Sequence, residues 1–142
     1  MSSIGEGELT KGIGTLLKEK RVRVPFYQRS YAWRRPHVET LLNDIRRAIE
    51  HPKPYYFLGS IVGCKTANYP DEVEVVDGQQ RLATVTMLLA AFRNHLLAIG
   101  DEQAAGQFEG KYLFTVEETR NPKPVPRMVL RGRTATSHAD CL

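Results

Sequence analysis

Cysteine is scarce in this chain, and the two that occur, Cys64 and Cys141, stand far apart. Neither fits a metal-ligand or redox spacing, so Cys64 is expected as a small buried residue and Cys141 as a solvent-facing one. Histidine is scattered over His37, His51, His95 and His138, without the paired His/Asn arrangement of a metal-assisted nuclease. No metal site is expected. Long apolar runs are missing too: none approaches the roughly 20 residues of a membrane helix. The opening "MSSIGEGELTKG" lacks the basic-then-apolar order of a secretory signal. A cytoplasmic protein with no membrane partner is the expectation. Internal repeats and low-complexity tracts are absent.

What remains is ordinary in amount and uneven in placement. A chain of 142 residues, 42% hydrophobic and 25% charged, suits one soluble globular domain with a real core. The net charge of +4 is mild. Between Arg21 and Arg47, however, seven arginines face two acids, Glu39 and Asp44. Such an excess is the footprint of a phosphate-bearing partner, or else a solvated basic face without one. Arg34, Arg35, Arg46 and Arg47 are the candidate DNA contacts.

Leu9, Ile13, Leu16 and Leu17 recur at helical spacing and predict a short helix over residues 8–19, weakened by Gly12 and Gly14. "RVRVP" alternates as a strand does and stops at Pro25. From Pro36, the residues Val38, Leu41, Leu42, Ile45 and Ile49 share one face, which predicts a surface helix that "HPKP" ends. "YYFLGSIVGCK" reads as a central strand, where Gly59 and Gly63 signal a bulge or a close backbone approach. "TANYPD" reads as a loop and "VEVVD" as the second strand of a hairpin. A wide stripe through Leu82, Val85, Leu88, Leu89, Phe92, Leu96 and Ile99 predicts the core helix, with Gly100 as its stop. Beyond it, "KYLFTVEE" and "PRMVL" read as strands, and the chain end as a frayed tail. Helices mixed with short strands give an α/β (α+β) domain, a small mixed sheet flanked by helices.

At "VVDGQQRLAT" a strand runs into a helix through Asp77 and Gly78. Gly78 permits a positive φ or the close approach of a ligand. A helix N-terminus attracts anions, and Arg81 in that first turn adds a fork for phosphate oxygens while opposing the dipole. Gln79 and Gln80 supply donors and acceptors suited to a base or a sugar. Asp77 is expected as the helix cap, accepting from an N–H of the first turn. A second constellation, Tyr27, Gln28, Arg29, Tyr31 and Trp33, interleaves aromatics with polar groups as base stacking beside a phosphate requires. Trp33, the one tryptophan, has the core as its ordinary place.

"VPFYQRSYAW", "YFLGSIV" and "VVDGQQRLAT", in that order, resemble the successive motifs of the GmrSD-type restriction endonuclease N-terminal domain, in the ParB/sulfiredoxin-like superfamily. The resemblance runs from about Leu9 to Ile99, and "PRMVL" is similar to a later strand. It implies a nucleotide-handling, DNA-sensing domain, residues 1–130 with a flexible tail after them, from a modification-dependent system of phage defence. NTP binding and hydrolysis, with Mg²⁺ accompanying the NTP, are implied. So are DNA, including modified DNA, as a partner and an HNH nuclease as a separate domain or subunit. Pairing into a homodimer is common among ParB-like domains. By motif, Asp77, Gln80 and Arg81 become the candidate catalytic residues, with holding Mg²⁺ or an attacking water as further roles for Asp77 beside the cap. Tyr27, Gln28, Arg29, Tyr31, Gly78, Gln79, Gln80 and Arg81 become the nucleotide-binding set. Ala83 replaces the usual threonine, although Thr84 follows it. The rival expectation is a non-enzymatic module that reads modified DNA phosphates, or a truncated remnant that acts through partner binding.

Overall fold

The computed structural model describes residues 12–25, 30–53, 59–66, 69–117 and 119–132. Their elements follow the order α1 (Ile13–Glu19), β1 (Arg21–Pro25), α2 (Arg35–Glu50), β2 (Val62–Thr66), β3 (Tyr69–Asp77), α3 (Gln79–Ala98), α4 (Glu102–Tyr112), β4 (Phe114–Val116), β5 (Pro124–Pro126) and β6 (Met128–Gly132). A four-stranded sheet runs β2-β3-β1-β6, and β4 and β5 form a separate antiparallel ribbon. β1 pairs in parallel with both β3 and β6, while β2 pairs antiparallel with β3. The class is α+β, as the element pattern implies.

Alternation decides which face of the sheet is apolar. Val22, Val24, Val75 and Met128 meet Leu17 of α1 and Leu82 and Ala83 of α3 in one buried cluster. Fully burying Leu17 and Leu82 contributes about 1.5–3 kcal/mol each. The alternate positions of β1 carry arginine instead. Arg23 reaches Glu72, which is 3% exposed, at 3.1 Å, and Arg21 reaches Glu117 at 3.5 Å. Pro25 falls at a register shift between β1 and β6, a place where its missing N–H is tolerated.

Several expectations change on contact with the fold. Among the described residues β2 is an edge strand, not a central one, because β3 alone flanks it. Cys64 on it is consequently half-buried, and "YYFL", residues 55–58, lies outside the described residues. Tyr69–Asp71 belong to β3, so the hairpin connection is shorter than "TANYPD" suggests. The start of the first helix, before residue 12, and the tail from residue 133 also fall outside the described residues; β6 itself runs through Gly132.

α4 was not anticipated. Leu96 and Leu97 carbonyls receive the Asp101 and Gly100 amides in a Schellman ending of α3, with Gly100 at φ 83°. Asp101 then caps α4 by accepting from the Ala104 N–H at 3.0 Å. Ala105, Phe108 and Tyr112 give α4 an apolar side. Phe108 packs on Phe92 at 4.9 Å between ring centroids, and Arg93 pairs with Glu109. Lys111 and Tyr112 therefore end a helix, and of the described residues of "KYLFTVEE" Phe114–Val116 alone form a strand.

Arg127 joins these parts. Its guanidinium donates to the Leu17, Lys18 and Gly110 carbonyls at 3.1, 2.9 and 2.9 Å, at the C-terminal ends of α1 and α4. Two helix dipoles thus meet one cation. Burial pushes its pKa below the ordinary arginine value, and the group stays charged across the physiological range.

Candidate functional site

Because β1 and β3 are parallel neighbours, the chain leaves both at the same edge of the sheet. The segment after β1 carries "YQRSYAW" and the turn after β3 carries "DGQQR". Topology alone therefore sets the described part of the first constellation, residues 30–33, beside the turn that carries the second, at the carboxyl ends of parallel strands where open α/β sheets hold ligands. Between them lies an open, polar cleft of about 340 Å³, lined by Trp33, Ser60, Asp77, Gly78, Gln79, Gln80 and Arg81. The volume falls within the range of small-molecule sites.

Gly78 makes the turn. It sits at φ 86° and ψ 10°, and a β-carbon there would meet the Ser60 carbonyl at 2.9 Å and Ile61 at 3.1 Å. Only glycine has both the conformation and the clearance. Gly78, rather than Asp77, occupies the N-cap of α3, and no side chain caps that helix. The capping role expected of Asp77 is thereby excluded. Its carboxylate is exposed at the cleft and accepts from the Gly78 N–H at 2.8 Å.

Arg81 resolves its conflict with the helix dipole by turning aside. Its guanidinium donates to the Ser60 carbonyl at 3.3 Å and lies against Gly59. Gly59 is at φ 105°, and a β-carbon there would stand 2.5 Å from Arg81 Cζ. The close backbone approach read from the Gly59 position is thus an approach by Arg81. At Gly63 a β-carbon would collide with Val73, next to a shift in the β2–β3 register.

Gln80 is 6% exposed. Its Oε1 accepts from the Ala32 and Trp33 amides at 2.7 and 3.2 Å, and its Nε2 donates to the Ser30 carbonyl at 3.2 Å. Tyr31 meets Thr84 through their hydroxyls at 2.8 Å. Trp33 is half-buried and lines the cleft, so it is not the core plug its residue type suggests. Its ring stacks on His37 at 5.9 Å and 24°. His37 in turn closes the start of α2: its Nδ1 accepts from the Arg34 N–H, and the Arg34 carbonyl accepts from the His37 N–H.

Of the expected site residues, Asp77, Gly78, Gln79, Gln80 and Arg81 line the cleft together, and Tyr31 is bonded to Thr84. Tyr27, Gln28 and Arg29 lie outside the described residues. Ser60 and His37 went unread in the sequence. A serine beside glycine is too common to single out, although the position of Gly59 was a usable sign.

The basic segment divides. Arg21 and Arg23 are held in ion pairs on the sheet. On α2, Arg35 pairs with Glu39 at 2.7 Å and Arg46 with Glu50 at 3.3 Å. Among the described residues, Arg34 and Arg47 alone of these arginines show no acidic partner.

A small mixed sheet whose polar cleft opens at a Gly-turned helix start defines an α+β domain with one candidate site among the described residues. Residues 13–132 match the family model of the GmrSD restriction endonuclease N-terminal domain. The chain belongs to that family, and with it to the components of restriction systems. A comparison with curated proteins finds no match. No helix among the described residues is long and apolar enough to cross a membrane.

Proposed function

We propose that the cleft binds a nucleoside triphosphate and that the domain uses this site while sensing DNA for a restriction system. The carrying observation is the convergence of Arg81, the start of α3 and Trp33 on one cleft. The first-turn amides and Arg81 would hold phosphates, and Gly78 would let them approach the backbone. Trp33 offers a ring, and Gln79 an amide, to the base or sugar. Tyr27, Gln28 and Arg29 are assigned to the same pocket by their position in the motif. Mg²⁺ carried by an NTP needs one or two protein carboxylates, the rest of its shell coming from phosphate and water. Asp77 is the carboxylate lining the cleft, and it fits that need. Hydrolysis there would rest on positioning and charge stabilisation. DNA cleavage is assigned to an HNH nuclease domain or subunit acting with this one.

Calorimetry with Mg·ATP and Mg·GTP tests the reading. Wild type is expected to bind one of them, and Arg81→Ala to bind it about 10–100-fold more weakly, as loss of charge-assisted hydrogen bonds implies. Equal binding by both proteins removes the role given to Arg81, and no binding by wild type removes the reading.

A second reading rests on Arg34 and Arg47. Their lack of acidic partners suits contact with a DNA backbone, in a module that recognises modified phosphates without turnover. Such binding would weaken steeply with salt.

A further inference from the structure

By motif Gln80 is a candidate catalytic residue, yet its amide is already engaged. The carbonyl takes two backbone N–H groups of the 30–33 loop and the NH₂ gives a proton to a third residue of it. One helical turn later, the Thr84 hydroxyl donates to the main-chain carbonyl of Gln80 at 2.8 Å. Its single proton is therefore used, and Tyr31 must be the donor in the 2.8 Å bond between the two hydroxyls. Residues four apart share a helix face, so α3 grips the loop at two points. We propose that Gln80, Thr84 and Tyr31 form a latch that positions Trp33 as the wall of the cleft, and that neither Gln80 nor Thr84 acts by touching the nucleotide.

Three features favour a latch over a ligand contact. Gln80 and Thr84 are 6% and 4% exposed, so a ligand reaches neither side chain without displacing the loop. Freeing Gln80 for a ligand would leave the Ala32 and Trp33 amides without their acceptor, an exchange with no net gain in hydrogen bonds. Trp33 is also supported from the far side by His37 at the start of α2. The ring is thus held through its own backbone N–H and through its stacking partner. The consequence for nucleotide affinity rests on the function proposed above, whereas the latch is a property of the free protein.

Trp33 is the sole tryptophan in the chain, so its emission reports this loop directly. Gln80→Met keeps the length and apolar stem of the side chain without the amide, and Tyr31→Phe removes only the second grip. Gln80→Glu keeps the acceptor for both amides. Acrylamide quenching without nucleotide is expected to rise about twofold or more in Gln80→Met as the loop opens locally. The rise should be smaller in Tyr31→Phe, with most of the protection restored in Gln80→Glu. In Gln80→Met the affinity for Mg·ATP or Mg·GTP should fall about tenfold, the scale of one lost net interaction. Its dependence on salt, which reports the phosphate contacts, should not change.

Wild-type quenching in both Gln80→Met and Tyr31→Phe would overturn the latch. Raised quenching with unaltered nucleotide affinity would overturn the positioning role. Failure of wild type to bind either nucleotide would overturn the functional consequence and leave the quenching result standing. Tyr31 is 41% exposed, so its variant keeps the latch testable if Gln80→Met fails to fold.

Discussion

In a Gly59→Ala variant the added β-carbon would lie 2.5 Å from Arg81 Cζ and 2.6 and 2.7 Å from its two terminal nitrogens. These atoms are the end of a flexible side chain, so the clash is relieved when Arg81 swings away. The backbone has no such escape at φ 105°. A left-handed conformation costs a residue with a β-carbon about 1–2 kcal/mol, which lowers Tm by roughly 3–8 °C for a chain of this size. Displacing Arg81 should in addition weaken Mg·nucleotide binding by about tenfold or more, as removal of a charged hydrogen-bond donor does. A double-mutant cycle with Arg81→Ala separates the two effects. The stability loss should persist in the Arg81→Ala background, because it resides in the backbone. The binding loss should disappear there, because no guanidinium remains to be displaced. Denaturant unfolding and calorimetry on the four proteins measure both. Wild-type nucleotide affinity in Gly59→Ala would refute the reasoning, since Arg81 would then act from a position that does not involve Gly59.

Arg127→Met should destabilise the fold by about 2–4 kcal/mol, because it strips three helix-end carbonyls of their donor. Chemical denaturation checks this, and a change below 1 kcal/mol would remove Arg127 as the joint between α1 and α4. DNA binding, if carried by α2, should show a salt dependence set by few phosphate contacts: the log–log slope should lie near −2 to −4 rather than the roughly −6 expected from all seven arginines. The reason is that Arg21 and Arg23 are occupied on the sheet, and fluorescence anisotropy over a salt series reads the slope directly.

How far the sequence carried depends on whether a signal is local. β1, α2 and the limits of α3 follow from alternation, from Pro36 and from Gly100, each a constraint within a few residues. Whether a strand is central or at an edge is decided by partners far along the chain, which is why "YYFLGSIVGCK" reads as interior although β2, among the described residues, is flanked on one side alone. α4 escaped notice because Gly106 and Gly110 lower its propensity while Asp101 caps it and Phe108 packs it. In the site, the residues on α3 were legible as an excess of polar groups at a turn. Their division of labour was not, because the partners of Gln80 lie 47 to 50 residues away.

The start of α3 does two jobs that are usually kept apart. Gln80, Leu82, Ala83, Thr84 and Val85 are all buried, while Met87, Phe92 and Leu97 further along are between 46% and 49% exposed. The stripe expected over the whole helix is therefore a buried beginning followed by a partly open end. A helix enclosed on most sides at its first turns cannot shift without disturbing Leu82 in the core, so the groups it carries into the cleft are fixed to the best-packed part of the molecule. Burial of an amide within that region costs free energy unless its bonds are made, and the 30–33 loop makes them. The same bonds that satisfy Gln80 consequently give the loop one conformation, and Trp33 with it. A substitution that merely repacks Leu82 should then be felt at Trp33 before it is felt at Arg81, whose side chain rests on Gly59 and Ser60 instead of on the loop.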